Sequence, residues 1–357
     1  GQIAAFLEGH HLLQESGAEV LSVIIEGEAL VIDLAQAILP GGDYDEGVFA
    51  RLQADLDRSL HINQFFMTTF KVQGEMLEAW GRPAPTFDVQ TDLPDVFAGR
   101  NGGPLHGIKV ALGPGHGIYW NEEVSAWLFQ RSEWFGIRED TLNAEIMVYV
   151  RNSLLAQGAT VIQLRDLNIS TRTGASGYPT WIEGAREYAI SLDLPEWIYT
   201  GGSTNYNSDI RSRPYMANYY GADILVNLHN NGYNGMLSGT ETYYDTDNHP
   251  LSPSLANAVH SNIINAIRAE YDEEWIDRHV KASDSGYGEI NYAQMPAILI
   301  ELAFMDKEFP DNAYLHDEAF KLLSAEAIVS GICDFYKVSC TGIPDLTFQY
   351  NFPLFFR

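Results

Sequence analysis

Residues 110–117 read Val-Ala-Leu-Gly-Pro-Gly-His-Gly. The apolar lead-in is the pattern of a buried strand. Two glycines around a proline then bend the backbone sharply, with His116 on the bend. A second run, Asp223–Leu228, also ends in a histidine, in His229-Asn230-Asn231-Gly232. Thr160–Leu164, Gly239–Tyr244 and Pro296–Leu302 read as further strands. Leu142, Ile146, Val150 and Leu154 mark one helix face, and Leu255, Val259, Ile263 and Ile267 another. A last helix is expected over Glu318–Tyr336. Strands alternating with helices predict an α/β fold, a twisted and mostly parallel sheet flanked by helices. In such sheets, sites lie beyond the carboxyl ends of the strands, where both histidines fall.

Composition removes several function classes. The formal charge of −27 disfavours nucleic-acid binding by phosphate neutralisation. No run of about 18 apolar residues occurs, so no membrane span is expected. The hydrophobic share of 46% supports a sizeable core. Cys333 and Cys340 are the two cysteines, without a Cys-x-x-Cys motif. They could close a short disulfide or stay reduced and buried.

The chain divides by pattern. Residues 1–16 read as an ill-defined leader. Glu19–Ile25 and Ala29–Leu34 read as a hairpin turned at Gly27, followed by a helix with Val48, Leu52, Leu56 and Leu60 on one face, and a strand over Phe65–Val72. Residues 17–80 are thus expected to form a small α+β domain, and the proline-bearing stretch 81–104 a linker. The second domain is expected over 105–340, with a tail at 341–357. Within it, Ile118–Arg138 and Gly286–Tyr292 read as loops, and Tyr215–Tyr220 as a short helix. Residues 167–212 break the rhythm and read as an insertion, whose Tyr178, Trp181, Tyr188, Trp197 and Tyr199 could line a groove or form their own small core.

His116, His229 and Glu301 lie at strand ends, and Glu139 opens the first long helix. Two imidazoles and one carboxylate, with a fourth position for water, are what catalytic zinc requires. A further carboxylate outside the ligand set can act as general base. Spacing alone does not bring these groups together, and Glu139 is also favoured at a helix start by the dipole. His106, His249, His260, His279 and His316 have no partner motif and read as structural or exposed, as does Lys281.

Taken in order, these motifs resemble the zinc-dependent N-acetylmuramoyl-L-alanine amidases of the bacterial cell wall. Pro114-Gly115-His116-Gly117 matches that family's opening motif, and Glu139-Asp140-Thr141-Leu142-Asn143 its Glu-x-x-x-Asn helix start. Arg213, Ala217-Asn218, Ala222-Asp223 and the run to His229-Asn230-Asn231 match the stretch that delivers the second zinc histidine. Gly239–Tyr244 matches the next strand. Pro296-Ala297-Ile298-Leu299-Ile300-Glu301 matches the strand with the catalytic glutamate. The α+β pattern of residues 17–80, with its Ser59-Leu60 helix end, resembles the small extracytoplasmic domain of spore-germination lipoproteins.

The resemblance implies one Zn²⁺ per chain held by His116, Glu139 and His229, with Glu301 as the catalytic base. It implies peptidoglycan as partner and substrate, cut at the amide between muramic acid and L-alanine. Arg213, Asn230, Asn231, Tyr119 and Trp120 become candidates for substrate contact, and a secreted or wall-associated protein is expected. The chain departs from the family where Ile118, Tyr119 and Trp120 replace a glycine and an acidic residue, where Asn227-Leu228-His229 replaces Ser-Ile-His, and at Ala303 and Asp306. A non-catalytic wall-binding protein would be expected to lack a ligand or Glu301. A zinc carboxypeptidase would place its histidine and glutamate three apart. Neither pattern is present.

Overall fold

The computed structural model describes residues 102–340 apart from 170, 171, 246–248, 284 and 285, and before these residues 2–10, 13–14, 19–26, 29–35, 67–72, 75–76 and 96–99. The expected helix at residues 48–60 and the tail at 341–357 lie outside the described residues. A helix, Gln2–Gly9, occupies part of the stretch expected as a leader.

Strands β1 (Val20–Glu26), β2 (Ala29–Leu34), β3 (Met67–Val72) and β4 (Glu75–Met76) form a four-stranded sheet in that order. The expected hairpin is the antiparallel β1–β2 pair, and β3 runs parallel to β2.

The second sheet holds β5 (Val96–Ala98), β6 (Lys109–Pro114), β11 (Thr160–Gln163), β12 (Ile224–Asn231), β13 (Thr240–Tyr244), β14 (Asp277–Ala282) and β15 (Ala297–Phe304). Their spatial order is β14-β13-β15-β12-β6-β11-β5. The central four, β15, β12, β6 and β11, are all parallel. Antiparallel joins occur at β13–β15 and β11–β5. The β5 pairing corrects the linker expected at 81–104: Val96–Ala98 closes one edge of this sheet against Thr160–Ile162. Short antiparallel pairs β7 (Ile118–Asn121) with β8 (Ala126–Phe129), and β9 (Glu133–Trp134) with β10 (Ile137–Arg138), replace the expected loop over Ile118–Arg138.

Both faces of the sheet are covered, which is why β12 and β15 are buried along almost their whole length. Alternate residues point to opposite faces. Val110, Leu112, Ile224, Val226, Leu228, Ile298 and Ile300 pack with the helices Glu139–Ala156, Ser252–Glu270 and Glu318–Tyr336. Ala111, Leu225, Ala297 and Leu299 face the helices Ala185–Ser191 and Asn205–Tyr220. The same alternation puts His229 on β12, Glu301 on β15 and Glu241 on β13 on this second face, side by side in register.

The stretch expected as an insertion belongs to this second layer. Tyr188 is a core residue there and Trp197 and Tyr199 pack against it, while Trp181 is buried in the core on the other face of the sheet. Of its aromatic residues singled out above, Tyr178 is the exposed one, edge-on to Phe129. The helix expected over Tyr215–Tyr220 begins at Asn205. The turns before Tyr215 carry no apolar period because they bury polar groups, Asn207, Asp209, Arg211 and Arg213, and contain Pro214.

Cys333 and Cys340 are disulfide-bonded across a separation of 7 residues, at the end of the last helix. Closing so short a loop restricts the unfolded chain modestly, by about 2 kcal/mol. Replacing both cysteines by alanine is expected to lower the denaturation midpoint accordingly. Metal binding should not change, because the bridge closes the carboxyl end of the last helix and takes no part in the His116, Glu139 and His229 cluster; a change in metal affinity would contradict that.

Candidate metal centre

The turn after β6 is shaped by what it must approach. Gly115 donates to the Leu228 carbonyl at 2.9 Å. A Cβ on Gly115 would lie 2.2–2.5 Å from the His229 ring, so any side chain there would displace that imidazole. His116 takes a left-handed backbone, φ 61°, which costs a non-glycine residue about 1–3 kcal/mol. Gly117, at φ 129°, packs on Gly184 from the second layer.

Two buried groups hold the turn in place. Asp140 accepts hydrogen bonds from the backbone of Gly117 (3.1 Å), Gln130 (2.8 Å) and Arg131 (3.1 Å). Arg165, fully buried, donates to the carbonyls of Gly115 (2.8 Å), Asp140 (2.8 Å), Glu183 (3.0 Å) and Trp181 (3.0 Å). One guanidinium thus joins the histidine turn, the start of the Glu139–Ala156 helix and the second layer.

These constraints bring three distant residues together. His116 Nε2, Glu139 Oε1 and His229 Nδ1 lie 3.1–3.2 Å from one another, and all three residues are buried. Zinc with bonds of about 2.0–2.1 Å in a tetrahedron has ligands about 3.3 Å apart. The spacing and the donor set therefore fit such an ion, with a fourth position left for water. The Glu-x-x-x-Asn spacing has a physical reason here. One helical turn on, Asn143 Nδ2 donates to Glu139 Oε1 (3.2 Å) and to the Gly115 carbonyl (3.3 Å). The Asn230 backbone N–H also donates to Glu139 Oε1, at 3.0 Å.

Electrostatics in this cluster are strong because water is excluded. Burial works against the charge of His229, yet the Glu289 and Glu139 carboxylates hold its imidazole up at about 10. Burial and the nearby Arg131 guanidinium lower His116. Burial would raise Glu139, but the two histidines hold it well below the usual carboxylate range. Arg213 and His229 overcome burial at Glu289 and draw it down to about 2.

Glu301 sits one strand from His229 and opposite Glu241. Burial, with Glu139 and Glu241 nearby, pushes its carboxyl up to about 8 against the pull of His229. Its Oε2 is buried without a hydrogen-bond partner among the described residues. Glu241 is held by Lys281 Nζ at 2.6 Å and Arg278 Nε at 3.0 Å. Lys281, which reads from sequence as exposed, is therefore paired.

The residues expected to contact substrate separate into two groups. Arg213 has no exposed surface, and its guanidinium is bound to Asp209, Glu289 and the carbonyls of Pro114 and His116. That corrects its expected role: it supports the site from behind. Asn230 is likewise buried, its Nδ2 on Asn143 Oδ1 at 2.9 Å. Asn231 is half-buried and donates to Glu241 at 2.7 Å. Tyr119 and Trp120 lie half-buried on the β7–β8 hairpin, edge-on to Tyr206 and Trp127 respectively.

Sequence reasoning missed Gln130, Arg131, Asp209 and Glu289. Glu289 Oε2 meets His229 Nε2 at 3.0 Å, from a short helix, Gly288–Asn291, inside the expected loop. Gln130 Oε1 meets His116 Nδ1 at 3.1 Å. Arg131 Nε lies 3.8 Å from Glu139 Oε2 while its Nη1 donates to the Tyr206 hydroxyl at 2.9 Å. None of the four follows an apolar period, so no local signal marked them.

A family model describing N-acetylmuramoyl-L-alanine amidases matches residues 110–334, more than half of the chain. An uncharacterised protein of Bacillus subtilis strain 168, YqiI, is 35% identical over 116 residues, covering 32% of this chain and 52% of that protein. An uncharacterised cell wall amidase of Bacillus anthracis is 31% identical over 160 residues, covering 43% of this chain and 28% of that protein. The chain thus spans about half the length of the first relative and less of the second. Among solved structures, the catalytic domain of CwlV, an amidase from Bacillus (Paenibacillus) polymyxa var. colistinus, is similar at 20% identity and a TM-score of 0.45, covering 65% of this chain and 99% of that one.

Proposed function

The chain belongs to the N-acetylmuramoyl-L-alanine amidase family, and from that premise we propose that it hydrolyses the amide between muramic acid and L-alanine of peptidoglycan, with one zinc ion. The observation that carries this reading is the triangle of His116 Nε2, Glu139 Oε1 and His229 Nδ1, beside a buried carboxylate with an unpartnered oxygen.

His116, Glu139 and His229 would hold the ion. Bound zinc supplies a Lewis acid that lowers the pKa of water and polarises an amide carbonyl. Glu301, raised by burial, is suited to take a proton from the attacking water and return it to the leaving amine. Glu241, pinned by Lys281 and Arg278, stays charged beside it and favours its protonated state after the first transfer. The β7–β8 hairpin carries Tyr119 and Trp120 next to the His116 turn, where they would meet the sugar or peptide of the substrate. The bond lies outside the cytoplasmic membrane, so the protein would act at the cell wall. No helix among the described residues is long and apolar enough to cross a membrane.

The test joins metal analysis to an end-group assay. The purified chain is expected to carry about one zinc, and to free new L-alanine amino termini from peptidoglycan. A chelator should abolish that release, and added zinc restore it. Release of reducing sugar ends without new amino termini would overturn the bond assignment, and activity unchanged by a chelator would overturn the metal.

A further inference from the structure

The outer nitrogens of the two histidines are joined through one circuit of polar side chains. Gln130 Oε1 meets His116 Nδ1 at 3.1 Å, and Gln130 Nε2 donates to Asp209 Oδ2 at 2.8 Å. The same Asp209 oxygen accepts from Arg213 Nη1 at 3.1 Å. Arg213 Nη1 lies 3.4 Å from Glu289 Oε1, and Glu289 Oε2 meets His229 Nε2 at 3.0 Å. Asp209 and Arg213 have no exposed surface, and Glu289 is buried. The other Asp209 oxygen accepts the Arg186 backbone N–H at 2.9 Å, so the carboxylate cannot turn.

We infer that Asp209 is a positioning residue that sets which ring nitrogen His116 presents to the metal. The reasoning rests on the zinc reading above and follows the donors. Asp209 can only accept, so the Gln130 amide must turn its nitrogen to Asp209 and its oxygen to His116. That oxygen also only accepts. His116 Nδ1 must therefore carry the proton, which leaves the Nε2 lone pair facing the cluster. Glu289, held by Arg213, likewise requires the proton of neutral His229 on Nε2 and frees Nδ1. These are the two atoms found in the ligand triangle. Partners behind metal-bound histidines commonly act in this way; here Asp209, itself remote from the metal, acts on His116 through Gln130, while Glu289 acts on His229 directly.

The full chain is titrated with zinc against a competing chelator, with ¹⁵N-histidine spectra recorded on the loaded protein. Asp209→Ala frees the Gln130 amide and leaves Arg213 short of one counter-charge. It is expected to weaken zinc binding by about 10- to 100-fold and to lose the protonated Nδ1 signature of His116. Adding Gln130→Glu to Asp209→Ala restores a group that only accepts, and its charge. That double variant is expected to recover about tenfold in affinity, which loss of a merely structural contact would not allow. Should Asp209→Ala not fold, Gln130→Met, at the half-buried position just after β8, breaks the same link between Asp209 and His116 and carries the same expected loss. Zinc affinity and His116 spectrum unchanged in these variants overturn the inference alone. A wild-type chain that takes up no zinc overturns the functional reading with it.

Discussion

Glu301→Gln is expected to keep its zinc and to lose amidase activity by about 10²- to 10⁴-fold, the range for losing a general base. The substitution is nearly isosteric and removes the ability to accept a proton. Its structural cost should be small for a specific reason. Glu301 Oε2 has no hydrogen-bond partner among the described residues, so an amide there breaks no bond. Burial already favours the uncharged form, with the carboxyl raised to about 8, so neutralising it does not strip the fold of a needed charge. Zinc content and thermal stability should therefore match the parent while release of L-alanine amino termini from peptidoglycan collapses. Turnover within a few-fold of the parent would remove Glu301 from the mechanism. Loss of zinc would instead make it a ligand.

His229→Ala is expected to abolish metal binding, taking the bound zinc from about one per chain to almost none. It deletes one of the three proposed ligands and empties the centre of a charge cluster. Glu139 and Glu289 both lean on this imidazole, at 3.2 and 3.0 Å. Arg213 remains beside Glu289, whereas Glu139 keeps His116 and the more distant Arg131. Removing one member of a buried ion pair costs about 3–5 kcal/mol, so the metal-free variant should also unfold at lower denaturant than the metal-free parent. Both effects are read from one preparation, by metal analysis and a denaturant titration. Full zinc retention would remove His229 from the ligand set.

Much of this protein follows from contacts between neighbours along the chain. Apolar runs with period 2 and faces with period near 3.6 describe what each segment can bury, and they mark β6, β12 and β15 and the long helices. The two histidine turns, the Glu139–Asn143 spacing and the strand carrying Glu301 are likewise local: each is complete within a few residues. Spacing alone does not join them: the family resemblance is what proposes His116, Glu139 and His229 as ligands with Glu301 beside them, and the structure brings the first three within 3.1–3.2 Å of one another.

The tertiary structure decided what no period encodes. Val96–Ala98 is too short and too polar in its surroundings to read as a strand, and becomes one because Thr160–Ile162 offers an open edge. The helix from Asn205 hides its first half because it faces a polar interior, where Asp209 and Arg213 find Gln130 and Glu289. Arg165 looks like any charged residue after a strand; it is a hub because four carbonyls from three segments converge on its guanidinium. Arg213 was legible as part of the site but not as its support, since sequence shows that a charge is present and not which way it points. Local pattern specifies which surfaces must be covered. The partners of buried polar groups are chosen only when the sheet brings residues as far apart as His116, Asp209 and Glu289 into one space, where the absence of water makes each donor find its acceptor.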